Sequence, residues 1–194
     1  VVFIEREMEK NFFDYFLDIG ANSGYYSFFF ANKFKNLKVK AYEPNFDAFN
    51  KFKKTLNKNS IKNIEVFNFG LSDQEKKVKM YSLITHNYTH SNSTISKNPN
   101  HSDIKNYYIF EAPLKLGDNQ FNFLKKKLLI KIDVEGHEIE TLKGLIKNLL
   151  NNKCLILIEI SNKKFSEVNR YLVKNSFKQI FKSKYRSDYV YTNF

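Results

Sequence analysis

The chain has 194 residues, 42% of them hydrophobic and 16% aromatic, which is enough for one sizeable core and excludes wholesale disorder. It carries a formal charge of +12, from 32 Lys+Arg against 20 Asp+Glu, yet only three of the 32 are arginines: Arg6, Arg170 and Arg186. Base readout and bidentate phosphate contacts favour arginine, and a lysine excess beside abundant Asn, Phe, Ile and Tyr is what AT-rich coding produces. The charge alone therefore names no partner. No apolar run approaches the roughly 18 residues that a membrane span requires. The first residues, Val1 to Glu7, lack a signal-peptide pattern. The lone Cys154 leaves no internal disulfide or cysteine zinc cage and suits a reducing compartment, so a cytoplasmic protein is expected.

Taken in order, the patterning alternates strand and helix. Tyr15 to Ile19 is a short apolar run, followed by a helical pattern from about Tyr25 to Phe34. Val39 to Tyr42 reads as a strand. Asn45 to about Lys58 reads as an amphipathic helix whose inward stripe is Phe46, Phe49 and Phe52. Ile64 to Phe69 is a third strand and Val78 to Leu83 a fourth. The stretch from about Thr85 to Asn106 is dense in Asn, Ser, His and Thr and reads as a polar loop insertion within one domain spanning residues 1–194. Leu128 to Ile132 is a buried strand, Glu138 to Leu150 one helix, and Cys154 to Ile160 a central parallel strand. A helix near Lys164 to Lys174 and strands at Phe177 to Phe181 and Tyr189 to Thr192 complete the chain. Such alternation predicts an α/β protein with a parallel sheet covered on both faces, whose ligands bind outside the carboxyl ends of the strands.

Of the six glycines, Gly20, Gly70 and Gly136 end predicted strands, and Gly24 follows Gly20 by four residues. The segment Asp18 to Gly24 is either a ligand-cradling turn or a tight turn with helix capping by Asn22 or Ser23. Glu43, 23 residues after Gly20, can accept both ribose hydroxyls of a nucleoside or serve as a helix N-terminal partner. The two features together favour a nucleoside cofactor. A dinucleotide fingerprint needs glycines where this chain has Asn22 and Tyr25, and Asp18 disfavours a diphosphate. S-adenosyl-L-methionine, with its sulfonium and amino groups, suits that carboxylate better. A third segment, Lys131 to Glu138, gathers Asp133, Glu135, His137 and Glu138 at the end of a buried strand, with the first helical turn able to hold His137 and Glu138 in solvent.

With Asp18 to Gly24, Tyr42 to Asn45, Asn68 to Asp73 and Lys131 to Glu138 in this order, the sequence resembles the FkbM-type methyltransferases. The resemblance implies a class I methyltransferase Rossmann-like three-layer sandwich, with a mostly parallel seven-stranded sheet and an antiparallel last strand. It also implies O-methylation of a hydroxyl on a sugar or related natural product, as in the biosynthesis of capsular or lipopolysaccharide surface glycans. By motif, Asp18, Gly20, Asn22 and Gly24 would line the methionine part of the cofactor and Glu43 its ribose. Gly70, Leu71 and Ser72 would lie near the adenine, and Asp133 near the transferred methyl. Leu116-Gly117-Asp118 departs from the family's usual segment, which points to an altered acceptor-side cap.

Methyl transfer needs a base for the hydroxyl proton, and Asp133, His137 and Glu135 are the candidates. No metal site is expected, although Asp133 and Glu159 together offer oxygen ligands for a divalent ion. His86, His90 and His101 in the polar stretch read as solvated. The expected partner is a sugar or glycan acceptor, with peripheral contact to a lipid-linked glycan, no membrane span and no nucleic acid. The acidic Asp133 to Glu138 mouth would repel phosphate, and no base-flipping segment is present. The competing readings are a nucleic-acid methyltransferase or binder and a non-catalytic nucleoside-binding module.

Overall fold

The computed structural model describes residues 2–85, 88–95 and 107–194. A seven-stranded sheet forms its centre, in the order β10-β11-β9-β8-β1-β2-β3. These strands are β1 (Tyr15–Ile19), β2 (Lys38–Tyr42), β3 (Ile64–Phe67), β8 (Lys127–Ile132), β9 (Lys153–Glu159), β10 (Lys178–Lys182) and β11 (Asp188–Thr192). The β8–β1–β2–β3 pairs and β8–β9 are parallel, while β11 runs antiparallel to both β9 and β10. This is the class I methyltransferase arrangement expected from the sequence, an α/β fold with an antiparallel last strand.

Two apolar layers cover the sheet because strand side chains alternate between its faces. Along β8, Leu128, Ile130 and Ile132 pack with Ile139, Leu142 and Leu172 on one side, and Leu129 faces the other side with Phe16, Phe30 and Phe52. The helices are α1 (Val2–Lys10), α2 (Tyr25–Lys33), α3 (Phe46–Asn59), α4 (Glu138–Gly144), α5 (Ile146–Leu150) and α6 (Phe165–Lys174). Sequence patterning passed over α1, which buries Ile4 and Met8 in the second layer.

Three expectations change. The inward stripe of α3 is Ala48, Phe52 and Leu56, at helical spacing of four, whereas Phe46 is 61% exposed. The helix expected over Glu138 to Leu150 is broken into α4 and α5. Gly144 packs so closely on the chain that a Cβ there would lie 1.9 Å from the carbonyl oxygen of Ser72. Asp118 supplies the restart: its two carboxylate oxygens accept from the backbone N–H groups of Lys147 and Asn148, both at 3.0 Å. That is the role here of the Leu116-Gly117-Asp118 departure.

The third change concerns the polar stretch. Tyr88–Thr94 is not loop but strand β6, paired antiparallel with β5 (Lys76–Thr85). These two belong to a second sheet, order β4-β7-β5-β6, with β4 (Gly70–Ser72) and β7 (Tyr107–Leu116). The strand predicted at Val78 to Leu83 thus lies in this smaller sheet. Composition misled because backbone pairing supplies the stability of a polar strand that its side chains do not signal. His86 and His101 lie outside the described residues, while His90 falls within β6.

Candidate functional site

The turn after β1 is built by its backbone. Gly20 and Ala21 both donate to the carbonyl of Tyr42, at 3.0 and 3.1 Å, and so lie against the end of β2. Gly20 has φ +76°, and a Cβ there would stand 1.8 Å from the carbonyl oxygen of Asp133. The glycine lets the turn abut the end of β8. Asn22 is also left-handed, at φ 54°. Gly24, at φ +89°, precedes α2, and a Cβ there would strike the Phe52 ring at 2.6 Å. Gly24 serves core packing, since it does not line the cavity described below.

Glu43 joins the first two strand ends. Its Oε2 accepts from the Asn22 N–H at 2.7 Å and its Oε1 from the Asn45 N–H at 2.8 Å. Asn45, not Glu43, caps α3, its side-chain oxygen accepting from Asp47 and Ala48. Glu43 is 6% exposed, and burial pushes its carboxyl up to about 7 against the lowering effect of the two N–H donors and Lys131. Each carboxylate oxygen keeps a lone pair beyond its one backbone donor. Two ribose hydroxyls fit that capacity.

These strand ends line a cavity of about 230 Å³. Gly20, Asn22 and Glu43 form one side, Gly70 and Leu71 another, and Asp133, Glu135 and His137 a third. Met80, Ser93, Ile95 and Leu114 of the second sheet and its flank close over it, and Asn45 Nδ2 donates to Ser93 Oγ at 2.9 Å. The expected residues that do not line it are Asp18, Gly24 and Ser72. Asp18 is fully buried beneath the turn: its Oδ2 accepts from Ser27 Oγ at 2.6 Å and its Oδ1 stands 3.7 Å from Lys131 Nζ. Burial raises its carboxyl above the ordinary value, opposed by Lys131 and Ser27. Ser72 is fully buried too, and its Oγ lies 2.9 Å from His137 Nε2.

The other ring nitrogen of His137, Nδ1, faces Glu140 at 3.6 Å, beyond hydrogen-bond distance, so Nε2 alone is hydrogen-bonded. Burial lowers the imidazole pKa, which keeps the ring neutral near pH 7. Glu135, at φ 48°, is exposed at the mouth; crowding by protein and by neighbouring carboxylates raises its pKa. Glu138 is not solvated: it is 3% exposed, and its Oε1 accepts from the Gly136 N–H at 2.7 Å. Asp133 leaves the end of β8 with its Oδ2 3.3 Å from Lys131 Nζ.

Asp133 also borders a second cavity of about 410 Å³, which shares Tyr25, Tyr26 and Lys131 with the first and adds Glu159, Arg186 and Asp188. Among the described residues, no group of three or more His, Cys, Asp or Glu is arranged to hold a metal ion. No described helix is long and apolar enough to cross a membrane.

Sequence reasoning missed Lys131 as a site residue. The signal was available: a lysine inside the apolar run Leu129-Ile130-Lys131-Ile132 must find a buried partner. It also missed Tyr26, and the Met80 and Leu114 walls that only the second sheet brings near.

Similar folds are known. An rRNA methylase from Streptococcus thermophilus matches with a TM-score of 0.54 at 14% identity, over 98% of this chain and 93% of that one. A Streptococcus mutans protein assigned as a methyltransferase and solved in complex with SAH gives 0.55 at 13%, over 98% and 95%. A Staphylococcus aureus protein assigned as a caffeoyl-CoA O-methyltransferase gives 0.59 at 13%, over 98% and 80%. No curated protein sequence matches. At these identities the likeness shows the fold, and the sequence profile of the methyltransferase FkbM domain, matching residues 18–183, shows the rest. The chain belongs to the FkbM methyltransferase family and is an S-adenosylmethionine-dependent enzyme.

Proposed function

We propose that the enzyme methylates a hydroxyl of a sugar, in the biosynthesis of a surface glycan of capsular or lipopolysaccharide type. The observation that carries this reading is that Asp133 borders both cavities. A carboxylate at that junction can meet a hydroxyl entering from one side while the cofactor occupies the other. The second cavity pairs two aromatic side chains, Tyr25 and Tyr26, with the carboxylates of Glu159 and Asp188. Flat apolar rings beside hydrogen-bond acceptors suit a polyhydroxylated ring.

In this reading Glu43 holds the ribose, Gly20 and Asn22 the methionine part, and Gly70 and Leu71 the adenine. Asp18, Gly24 and Ser72 act at one remove: Asp18 through Lys131, Gly24 through the packing of Phe52, Ser72 through His137. When bound, S-adenosylmethionine supplies an electrophilic methyl on a sulfonium. Asp133 takes the hydroxyl proton as the oxygen becomes nucleophilic. His137 is a weaker candidate because its Nε2 is engaged by Ser72 and its Nδ1 faces Glu140, and Glu135 because it lies exposed at the mouth. Positioning supplies much of the remaining acceleration. The excess lysine charge suits peripheral contact with an anionic, lipid-linked acceptor on the cytoplasmic side.

Incubation with methyl-labelled cofactor and a panel of saccharides and lipid-linked glycans tests the proposal. Label in a glycan, stable to mild base as an ether is, supports it. Label in RNA instead, with activity lost steeply as salt rises, overturns the choice of acceptor. Cofactor binding without transfer to any of these overturns it as well.

A further inference from the structure

Lys131 occupies a position that the proton-transfer scheme does not by itself require. It sits within the central strand β8, 6% exposed, on the face opposite Ile130 and Ile132. In the β1–β8 pairing its register partner is Asp18, and Asp133 follows two residues along the same strand. The period of two places all three side chains on one face, in the order carboxylate, ammonium, carboxylate. The ammonium stands 3.7 Å from Asp18 Oδ1, 3.3 Å from Asp133 Oδ2 and 3.3 Å from the carbonyl oxygen of Gly20, with the Tyr26 ring centre at 5.1 Å.

The ammonium is thus held by two carboxylates, one carbonyl oxygen and one aromatic ring. Burial acts to lower its affinity for the proton, but Asp18 and Asp133 outweigh burial and raise it. A lysine so held cannot act as a base. What it can do is fix a partner. Asp18 does not need it to hold its rotamer, being fully buried with Oδ2 bonded to Ser27, although its buried Oδ1 makes no hydrogen bond and faces this ammonium. Asp133 does, because its side chain is about one-third exposed where the two cavities meet. A carboxylate in that setting rotates among staggered rotamers unless one oxygen is tethered.

We propose that Lys131 is the positioning residue of this site, tethering Asp133 Oδ2 so that the carboxylate stays at the junction of the cavities. The Gly20 carbonyl and Asp18 hold the ammonium in place, which links the turn after β1 to the reacting side chain. This inference deepens the proposed reading and rests on Asp133 acting there.

The test uses Lys131→Met, which keeps volume without charge, and Lys131→Ala, which leaves room for a small amine. Crystal structures of the native enzyme and both variants report the Asp133 rotamer whatever the acceptor proves to be. The expected result is that Asp133 leaves the junction in both variants and returns to it in Lys131→Ala soaked with propylammonium. Calorimetric affinity for S-adenosylhomocysteine should change less than about fivefold. On a methylated acceptor, Lys131→Met should lower kcat about 100-fold, the scale on which a small misplacement acts, with KM little changed. Propylammonium should restore turnover saturably to the alanine variant and not to the methionine variant. An unmoved Asp133 in both variants, or a kcat within threefold of native for Lys131→Met, overturns the proposal. If no saccharide is methylated by the native enzyme, the acceptor reading fails while the Asp133 rotamer still decides the role of Lys131.

Discussion

The Glu43 carboxylate accepts a 2.7 Å hydrogen bond from the backbone N–H of Asn22, so the end of β2 and the turn after β1 form one rigid edge of the cavity. The bond explains why a left-handed asparagine, at φ 54°, is tolerated in that turn. Its N–H is aimed at a buried carboxyl oxygen, and that hydrogen bond offsets the roughly 1 kcal/mol that such a backbone costs.

Glu43 also makes stability depend on pH. Burial raises its carboxyl from 4.5 to about 7, so the folded chain holds a proton that the unfolded chain releases. The stability it contributes is fully present below pH 4.5 and is lost as pH rises through about 7. The full change is roughly 3 kcal/mol. Urea unfolding of native enzyme and Glu43→Gln across this window should show the native protein losing ground to the variant as pH rises. A difference that stays constant with pH would count against it.

Gly144 and Gly136 should respond very differently to alanine. A Cβ at Gly144 would lie 1.9 Å from a backbone oxygen, which only a shift of β4 against α4 can relieve. At Gly136, φ is +100° but the nearest atom is the Lys164 Nζ at 3.9 Å, leaving backbone strain alone. Gly144→Ala should cost about 3 kcal/mol or more, and Gly136→Ala about 1–2 kcal/mol. Denaturant midpoints give the order; the reverse order would refute the close approach of Gly144 to Ser72.

If Asp133 is the base, as proposed, and His137 a structural group, their variants should differ. Asp133→Asn should lower kcat about 100- to 10,000-fold with cofactor affinity nearly unchanged, the range expected for loss of a base. His137→Ala should lower kcat less than about tenfold and cost about 1–2 kcal/mol of stability, since it removes the link from α4 to Ser72. Steady-state kinetics on the two purified variants decide the matter. A larger kcat loss for His137→Ala would reassign the base.

Glu159 tests the second cavity. It borders that cavity but not the first. Its pKa is raised by partial burial and by Asp133 and Asp188, so it stands in a crowded acidic wall. Glu159→Gln should raise KM for the acceptor about tenfold, the loss of roughly one good hydrogen bond, and leave S-adenosylhomocysteine affinity within twofold. A changed cofactor affinity with an unchanged acceptor KM would show that the acceptor enters elsewhere.

Amino-acid order by itself determined the parallel core and the residues at its strand ends. Runs such as Leu128 to Ile132 are apolar because both faces of the strand are covered, and that is local information. Gly20, Glu43 and Asp133 were legible for the same reason, since a glycine or an acid that ends an apolar strand stands out along the chain. Tertiary structure decided what these residues touch. Only the β1–β8 register sets Lys131 beside Asp18, across 113 positions of sequence. Only the contact with Phe52 shows that Gly24 serves packing rather than a ligand. Strand β6 was hidden because its order comes from backbone bonds to β5, which side-chain hydropathy does not record. Electrostatic partnership and close backbone approach are properties of neighbours in space, and a sequence displays only neighbours along the chain.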